Sequence, residues 1–275
     1  MRVAGSCMQH DRVVFDSLED DRDQTMELNL EGKIALVTGG TSGIGRAIAS
    51  ALLEEDAEVH IGDLNLAAAK GVQEFDNPNA RLLRLDVGDA SGVQQAVDKI
   101  VAERGRIDIL VNCAGILKTR PLVDSTIADW DDVARVNLSG VYYCSKAVMP
   151  VMIASKYGKI INVASVSSVK GGGQFGNVLY GTTKAGVVAM TQGFARELGP
   201  YGINVNAISP GVVEGTPMTS GLMTPEVRQR IADSIPLKRM IQPAEVARLA
   251  LYLASDISQG ITGQAIVLDA GFLVR

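Results

Sequence analysis

"KIALVTGGTSGIGRAIASALLEEDAEVHIGDLN", residues 33–65, runs from an apolar stretch into an amphipathic one through a turn with four glycines between Gly39 and Gly45. "KIALVT" reads as a buried strand. In "GRAIASALLEED" apolar residues recur at three and four, the period of a helix. A glycine turn between strand and helix aims backbone N–H groups and the positive helix end at an anion. Glycines without side chains let a pyrophosphate come close. The familiar dinucleotide fingerprint asks for glycines at relative positions one, three and six. It fails here, because a start at Gly43 and Gly45 puts Ile48 in the last slot. A glycine cluster is most often a tight turn using positive φ, but its place between the first strand and first helix favours the phosphate cradle.

The same alternation continues outward. "AEVHIGD", "RLLRLDV", "IDILVNCAG", "KIINVAS", "INVNAIS" and "AIVLDAG" read as further strands. Between them, "NLAAAKGVQEF", "SGVQQAVDKIVAERG", "DWDDVARVNLSGVYYCSKAVMPVMIAS" and "GTTKAGVVAMTQGFARELG" carry helical patterns. Strands alternating with helices predict an α/β fold with a parallel sheet covered on both faces. The strands are Val/Ile/Leu-rich on both sides of the pleat, as burial under two helix layers requires. Right-handed crossovers then put every strand's C-terminal end on one edge, where ligands of such sheets bind. No linker divides the pattern, so residues 27–275 are expected to form one domain. Residues 1–26 show no sustained period and end in a charged cluster. They read as an acidic, disordered tail, either a genuine extension or the product of a start codon placed too early.

Composition narrows the function. The chain has 275 residues, 47% hydrophobic and 21% charged, enough for a substantial core. Of its formal net charge of -5, the acids of residues 1–31 account for the whole excess, leaving 23 charges of each sign beyond them. That balance predicts no nucleic-acid footprint and no polybasic membrane patch. Three scattered cysteines, Cys7, Cys113 and Cys144, give neither a disulfide framework nor metal-ligand spacing, which fits a reducing cytoplasm. No apolar run approaches the roughly 20 residues that span a bilayer. The N-terminus lacks the apolar core of a signal peptide.

Asp63 closes the second strand, 24 residues past Gly39. A carboxylate there can accept from both hydroxyls of an adenosine ribose and repels a 2′-phosphate; the competing role is a cap on the following segment. Position 42 is Ser, and no Lys or Arg lies between Gly39 and Ile44. Both features favour NAD over NADP. Around this cofactor the expected contacts are Gly39, Thr41, Ser42, Gly43, Ile44 and Gly45 in the turn, with Asp63 and Leu64 after strand two. Asp86 and Val87 close strand three beside the adenine, and Asn112, Ala114 and Gly115 close strand four.

Tyr180 and Lys184 stand four apart at the start of a helical stretch, so both project from one face. A phenol with a pKa of roughly 10 is a poor base at neutral pH, and a nearby ammonium favours the phenolate. A lone Tyr-x-x-x-Lys is commonly an ordinary helix pair; here it follows the glycine turn, Asp63, "NCAG" and a Ser ending strand five. In this order the motifs closely resemble the short-chain dehydrogenase/reductase family, from about Leu28 to the C-terminus. Thr38, Gly39, Gly43 and Gly45 match its Thr-Gly-x-x-x-Gly-x-Gly, which explains why the other fingerprint fails. The resemblance implies a three-layer, doubly wound Rossmann fold with strand order 3-2-1-4-5-6-7, usually a homotetramer.

It also implies roles. Asn137 looks like the helix asparagine that holds a water of the proton relay behind the lysine, and Ser165 like the serine that hydrogen-bonds the reacting oxygen. The usual spacing is two residues shorter than the 15 between Ser165 and Tyr180, which makes Ser167 the alternative. Ser165 is preferred because it ends the strand, and the glycines of "VSSVKGGGQFGNVL" absorb an insertion. Pro210, Gly211 and Val213 resemble the segment under the nicotinamide carboxamide. Thr216 follows Gly211 after four residues where the family has three. The resemblance makes Tyr180 and Lys184 cofactor contacts as well as catalytic residues, with Lys184 on the nicotinamide ribose. Ser167, Gln174 and Met218 are the substrate-contact candidates, and no metal site is expected.

The predicted activity is reversible hydride transfer between NAD(H) and a secondary alcohol or ketone. Two substrate classes compete. Carrier-protein reductases of the family generally present a basic residue just before the "GI-V-N" strand, where this chain has Pro200 and Tyr201. They also usually take NADPH. Both points lean toward a polyol, sugar or small secondary alcohol, with a 3-oxoacyl thioester as the alternative. A non-catalytic redox sensor would be marked by loss of Tyr180 or Lys184, and both are present.

Overall fold

The computed structural model describes residues 27–274; the tail expected over residues 1–26 lies outside them. Seven strands form one parallel sheet in the order β3-β2-β1-β4-β5-β6-β7. They are β1 Ile34–Thr38, β2 Glu58–Asp63, β3 Ala80–Arg84, β4 Ile109–Asn112, β5 Gly158–Val163, β6 Ile203–Pro210 and β7 Ala265–Leu268. The doubly wound order expected from the sequence is the order present.

Two helix layers cover this sheet because its strands are apolar on both faces. Ala35 and Val37 of β1 pack toward helices α1 (Gly43–Glu54) and α9 (Pro243–Ala254), while Ile34 and Leu36 pack toward the other face. There they meet α2 (Ala90–Arg104) and α4 (Gly140–Ser155). Ile109 and Val111 of β4 repeat the split against Leu110, as do Ile161 and Ile160 of β5. Each such fully buried side chain contributes roughly 1.5–3 kcal/mol of transfer free energy. The period of two thus fixes the register that carries every strand's C-terminal end to one edge.

At that edge β1 and β4 part in opposite directions, which opens a crevice between their following segments. Thr38 spans the gap: its hydroxyl accepts from Cys113 N at 3.1 Å and Ala114 N at 3.2 Å.

Two predicted helices take other forms. "NLAAAKGVQEF" folds as two short 3₁₀ turns, Leu66–Ala69 and Gln73–Asp76, because Gly71 at φ +74° breaks the run between them. The long pattern after "DW" is α3 (Ile127–Ala134), a π-helical turn over Arg135–Ser139, and α4, not one straight helix. The extra residue of a π-turn turns Asn137 fully inward, where it is 0% exposed. Short helices α5 (Ser167–Lys170) and α7 (Pro217–Ser220) precede the long α6 (Val178–Leu198) and α8 (Pro225–Ser234), respectively.

Candidate active site

A cleft of about 610 Å³ lies along the C-terminal edge of the sheet. Its floor is the glycine turn. Gly39 has φ +65°, and a Cβ there would stand 2.7 Å from Ala114 Cα, so the turn and the end of β4 approach each other through glycine. Ser42 caps α1 without a side-chain hydrogen bond to the first turn. The leading N–H groups of a twelve-residue helix are therefore not closed off by a side-chain cap, as an anion site requires. A Cβ on Gly43 would sit 3.4 Å from Pro217 Cδ and 3.5 Å from Thr216 Cβ, filling the gap between the two jaws of the cleft. This cradle fits a dinucleotide pyrophosphate.

Most residues expected to meet the cofactor line the cleft: Gly39, Ser42–Gly45, Asp63, Leu64, Asp86, Val87, Ala114, Gly115, Pro210, Gly211, Val213 and Thr216. Two do not. Asn112 is buried beneath it, donating to Asn162 Oδ1 at 2.8 Å and Ser145 Oγ at 3.2 Å, so it fastens β4 to β5 and α4. Thr41 is buried behind the turn and donates to Asp63 Oδ2 at 2.7 Å.

The catalytic candidates converge at one end. Ser165, Tyr180 and Lys184 line the cleft together, with Ser165 near enough to the phenol to favour its ionised form. Ser165 Oγ also accepts from Ser167 N at 3.1 Å, so the strand end orients it. Ser167 opens α5 and lines the wall, and a glycine-rich loop, residues 171–177, joins α5 to α6. Lys184 Nζ donates to Val163 O at 2.6 Å and lies 5.7 Å from the Tyr180 ring centre. Burial pushes Lys184 down to about 8.

The expectation that Lys184 brings the phenol toward neutral pH needs correction, because burial acts the other way. Burial dominates and pushes Tyr180 up to about 12, with the Ser165 hydrogen bond acting to lower it. Asn137 is likewise engaged differently. Its Oδ1 accepts from Ile116 N at 2.8 Å and its Nδ2 donates to Ile116 O at 2.9 Å, clamping the chain after β4. Nδ2 also lies 3.4 Å from Thr183 Oγ1, so both amide protons have protein partners, while Oδ1 keeps a second lone pair.

Other functional residues escaped the sequence. Asn177 Oδ1 accepts from Leu179 N and Tyr180 N, capping α6 at Tyr180, and its Nδ2 donates to Arg120 O at 2.7 Å. Such a cap is worth typically about 1 kcal/mol, and Asn three residues before the tyrosine was its available signal. Arg135 grips both Asp86 oxygens at 3.0 Å from the π-turn. Leu117, Phe175 and Phe272 line the cleft from three separate segments that no local motif marks.

The sequence family described as enoyl-(acyl carrier protein) reductase matches residues 39–273. The chain belongs to the short-chain dehydrogenase/reductase family. Among family relatives, the 3-oxoacyl-[acyl-carrier-protein] reductase of Thermotoga maritima is 41% identical, covering 90% of this chain and all of that one. Its Escherichia coli namesake is 38% identical over 89% of this chain and 98% of its own. Among solved family structures, gluconate 5-dehydrogenase from Burkholderia cenocepacia, in complex with NADP and tartrate, superposes with a TM-score of 0.84 at 34% identity. That match covers 90% of this chain and 98% of that one. A putative gluconate dehydrogenase from Agrobacterium tumefaciens gives 0.84 at 33% identity, over 91% and 100% of the two chains. Family membership makes the protein an oxidoreductase with a dinucleotide site.

Proposed function

We propose that the protein reduces 3-oxoacyl thioesters to 3-hydroxyacyl thioesters. The observation that carries this is the wall beyond Tyr180. Leu117, Phe175, Met218 and Phe272 supply apolar surface there, with Ser167, Gln174 and Thr219 as the polar side chains. The charged residues that line the cleft are Asp63, Asp86 and Lys184, which serve the cofactor and the reacting centre. A sugar acid finds no further cation on this lining for its carboxylate, and a polyol meets only Ser167, Gln174 and Thr219 as polar side chains on this wall. Each unpaired buried polar group costs about 1–3 kcal/mol, whereas each buried acyl methylene contributes about 0.8 kcal/mol. The sequence lean toward polyols gives way to the thioester, which the curated relatives also favour. Two groups, Ser165 and Tyr180, converge to serve one oxygen, which suits a ketone.

The cofactor, when bound, supplies the hydride. The glycine turn would hold its pyrophosphate, Asp63 the adenosine ribose, Asp86 and Val87 the adenine, Lys184 the nicotinamide ribose, and Pro210 to Val213 with Thr216 the carboxamide end. Ser165 donates to the ketone oxygen and Tyr180 delivers the proton to it. Asn137 holds Ile116 and thereby the cleft wall behind Lys184. Asp63 and the absence of a cation in the turn support NAD over NADP. Exposed Val267 on the edge strand β7 supports an interface there, in keeping with a homotetramer. No described helix is long and apolar enough to cross a membrane; a cytoplasmic location fits the cysteine pattern.

The test is turnover of 3-oxoacyl thioesters, on coenzyme A and on carrier protein, against gluconate, polyols and simple secondary alcohols, each with NAD(H) and NADP(H). A thioester kcat/KM at least about 100-fold above the best polyol is expected, since two or more unpaired hydroxyls cost that much. Higher efficiency on gluconate or a polyol overturns the assignment.

The pH profile follows from the two titrating groups. Tyr180, held up to about 12, stays protonated and able to act as an acid throughout the neutral range. Lys184, held down to about 8, loses its charge above that pH. The kcat/KM for reduction reports the free enzyme, so it should be level on the acid side of pH 8 and fall above it. A rise through pH 8 in the reductive direction contradicts this account.

A further inference from the structure

We infer that Thr41, which does not line the cleft, sets nucleotide selectivity by locking the carboxylate of Asp63. The inference rests on the reading that Asp63 selects NAD. Asp63 ends β2 half-buried, with its carboxylate on the cleft. Three donors fix that carboxylate. Oδ2 accepts from Thr41 Oγ1 at 2.7 Å and from Thr41 N at 3.2 Å, while Oδ1 accepts from Asn65 N at 3.0 Å.

The holder is itself rigid. Thr41 is 3% exposed, and the turn beside it is tied to the end of β2 by Gly39 N and Gly40 N, which donate to Gly62 O at 2.8 and 3.3 Å. A hydroxyl has one proton, and the alternative acceptor, Asn65 O, is farther at 3.4 Å. The short contact to the carboxylate therefore takes that proton.

A locked carboxylate discriminates twice. It presents its remaining lone pairs to ribose hydroxyls without first losing rotamer freedom. It also cannot swing aside when a 2′-phosphate approaches, so the like-charge contact stays close. Without the Thr41 hydroxyl one strong donor is gone, and Asp63 turns more easily about χ1. Binding of NAD then weakens and the penalty on NADP shrinks. A hydroxyl that merely stabilised the turn would shift both nucleotides equally.

Isothermal titration of NAD+ and NADP+ into the full-length protein separates these cases. Wild type should bind NAD+ more tightly. Thr41→Val should narrow the ratio about tenfold, the worth of one hydrogen bond to a charged group, with NADP+ affinity held or improved. Thr41→Ser, which keeps the hydroxyl, should restore the wild-type ratio. Thr41→Ala gives the same comparison should valine prevent folding. Equal weakening toward both nucleotides, or an unchanged ratio, overturns the role of Thr41. Asp63→Asn is the separating arm. If it narrows the ratio while Thr41→Val does not, the NAD reading stands and this inference falls. A wild-type preference for NADP+ removes the NAD reading itself.

Discussion

Tyr180→Phe is expected to lower kcat by about 10²- to 10⁴-fold, the range assigned to a positioned general acid, while NADH affinity stays at its wild-type value. The ring remains, so packing against Gly176, whose Cβ would meet Tyr180 Cδ1 at 2.9 Å, is kept. What disappears is the proton donor and the partner of Ser165. Because the loss falls on the reacting oxygen and not on ground-state binding, KM should move far less than kcat. Fluorescence titration of NADH and steady-state kinetics on a 3-oxoacyl thioester read the two effects separately. Unchanged turnover in a variant that still binds NADH would remove Tyr180 from the chemistry.

Gly45→Ala is expected to weaken nucleotide binding. An added Cβ would collide with Gly39 O and lie 2.8 Å from Gly39 C and 3.1 Å from Gly40 Cα, all backbone atoms with no rotamer to escape into. The turn must open or α1 must move. Forced overpacking costs typically about 1–3 kcal/mol. If that strain is expressed in the cradle, affinity falls by up to about 100-fold, and unfolding temperature falls with it. Gly193→Ala is the contrast: it sits within α6, a Cβ there meets nothing within 4 Å, and nucleotide binding should be untouched. Wild-type affinity in Gly45→Ala would show that the turn is looser than its contacts.

The sheet was legible because its rules are local. Seven Val/Ile/Leu-rich runs separated by helical periods leave little choice of architecture, and the Tyr180–Lys184 spacing needs only one helix to put both on a face. What stayed hidden depends on contacts between distant segments. Thr41 sits in the motif beside true cleft residues, and only its burial against Asp63 reveals that it serves from behind. Asn112 looks like part of a cofactor motif, yet the alternation along β4 turns it to the Leu110 face, where it donates to Ser145 and Asn162. The π-turn at Arg135–Ser139 has no compositional mark, so a continuous helix was the natural expectation. Tyr180 illustrates the same limit in electrostatics. Sequence placed a cation nearby, whereas burial, which spacing does not report, sets the direction of its titration.

The Asn177 side chain has a consequence for how the pocket can change. One end holds the amide of Tyr180 and the other holds the carbonyl of Arg120, in the stretch that follows Leu117 along the wall. The segment after β4 and the start of α6 that carries Tyr180 are thus tied together through one side chain. Loosening the 116–121 stretch would therefore also disturb the start of α6 at Tyr180. Evolution toward longer substrates is easier from the opposite jaw, around Met218 and Thr219, which carries no such brace to the tyrosine among the described contacts.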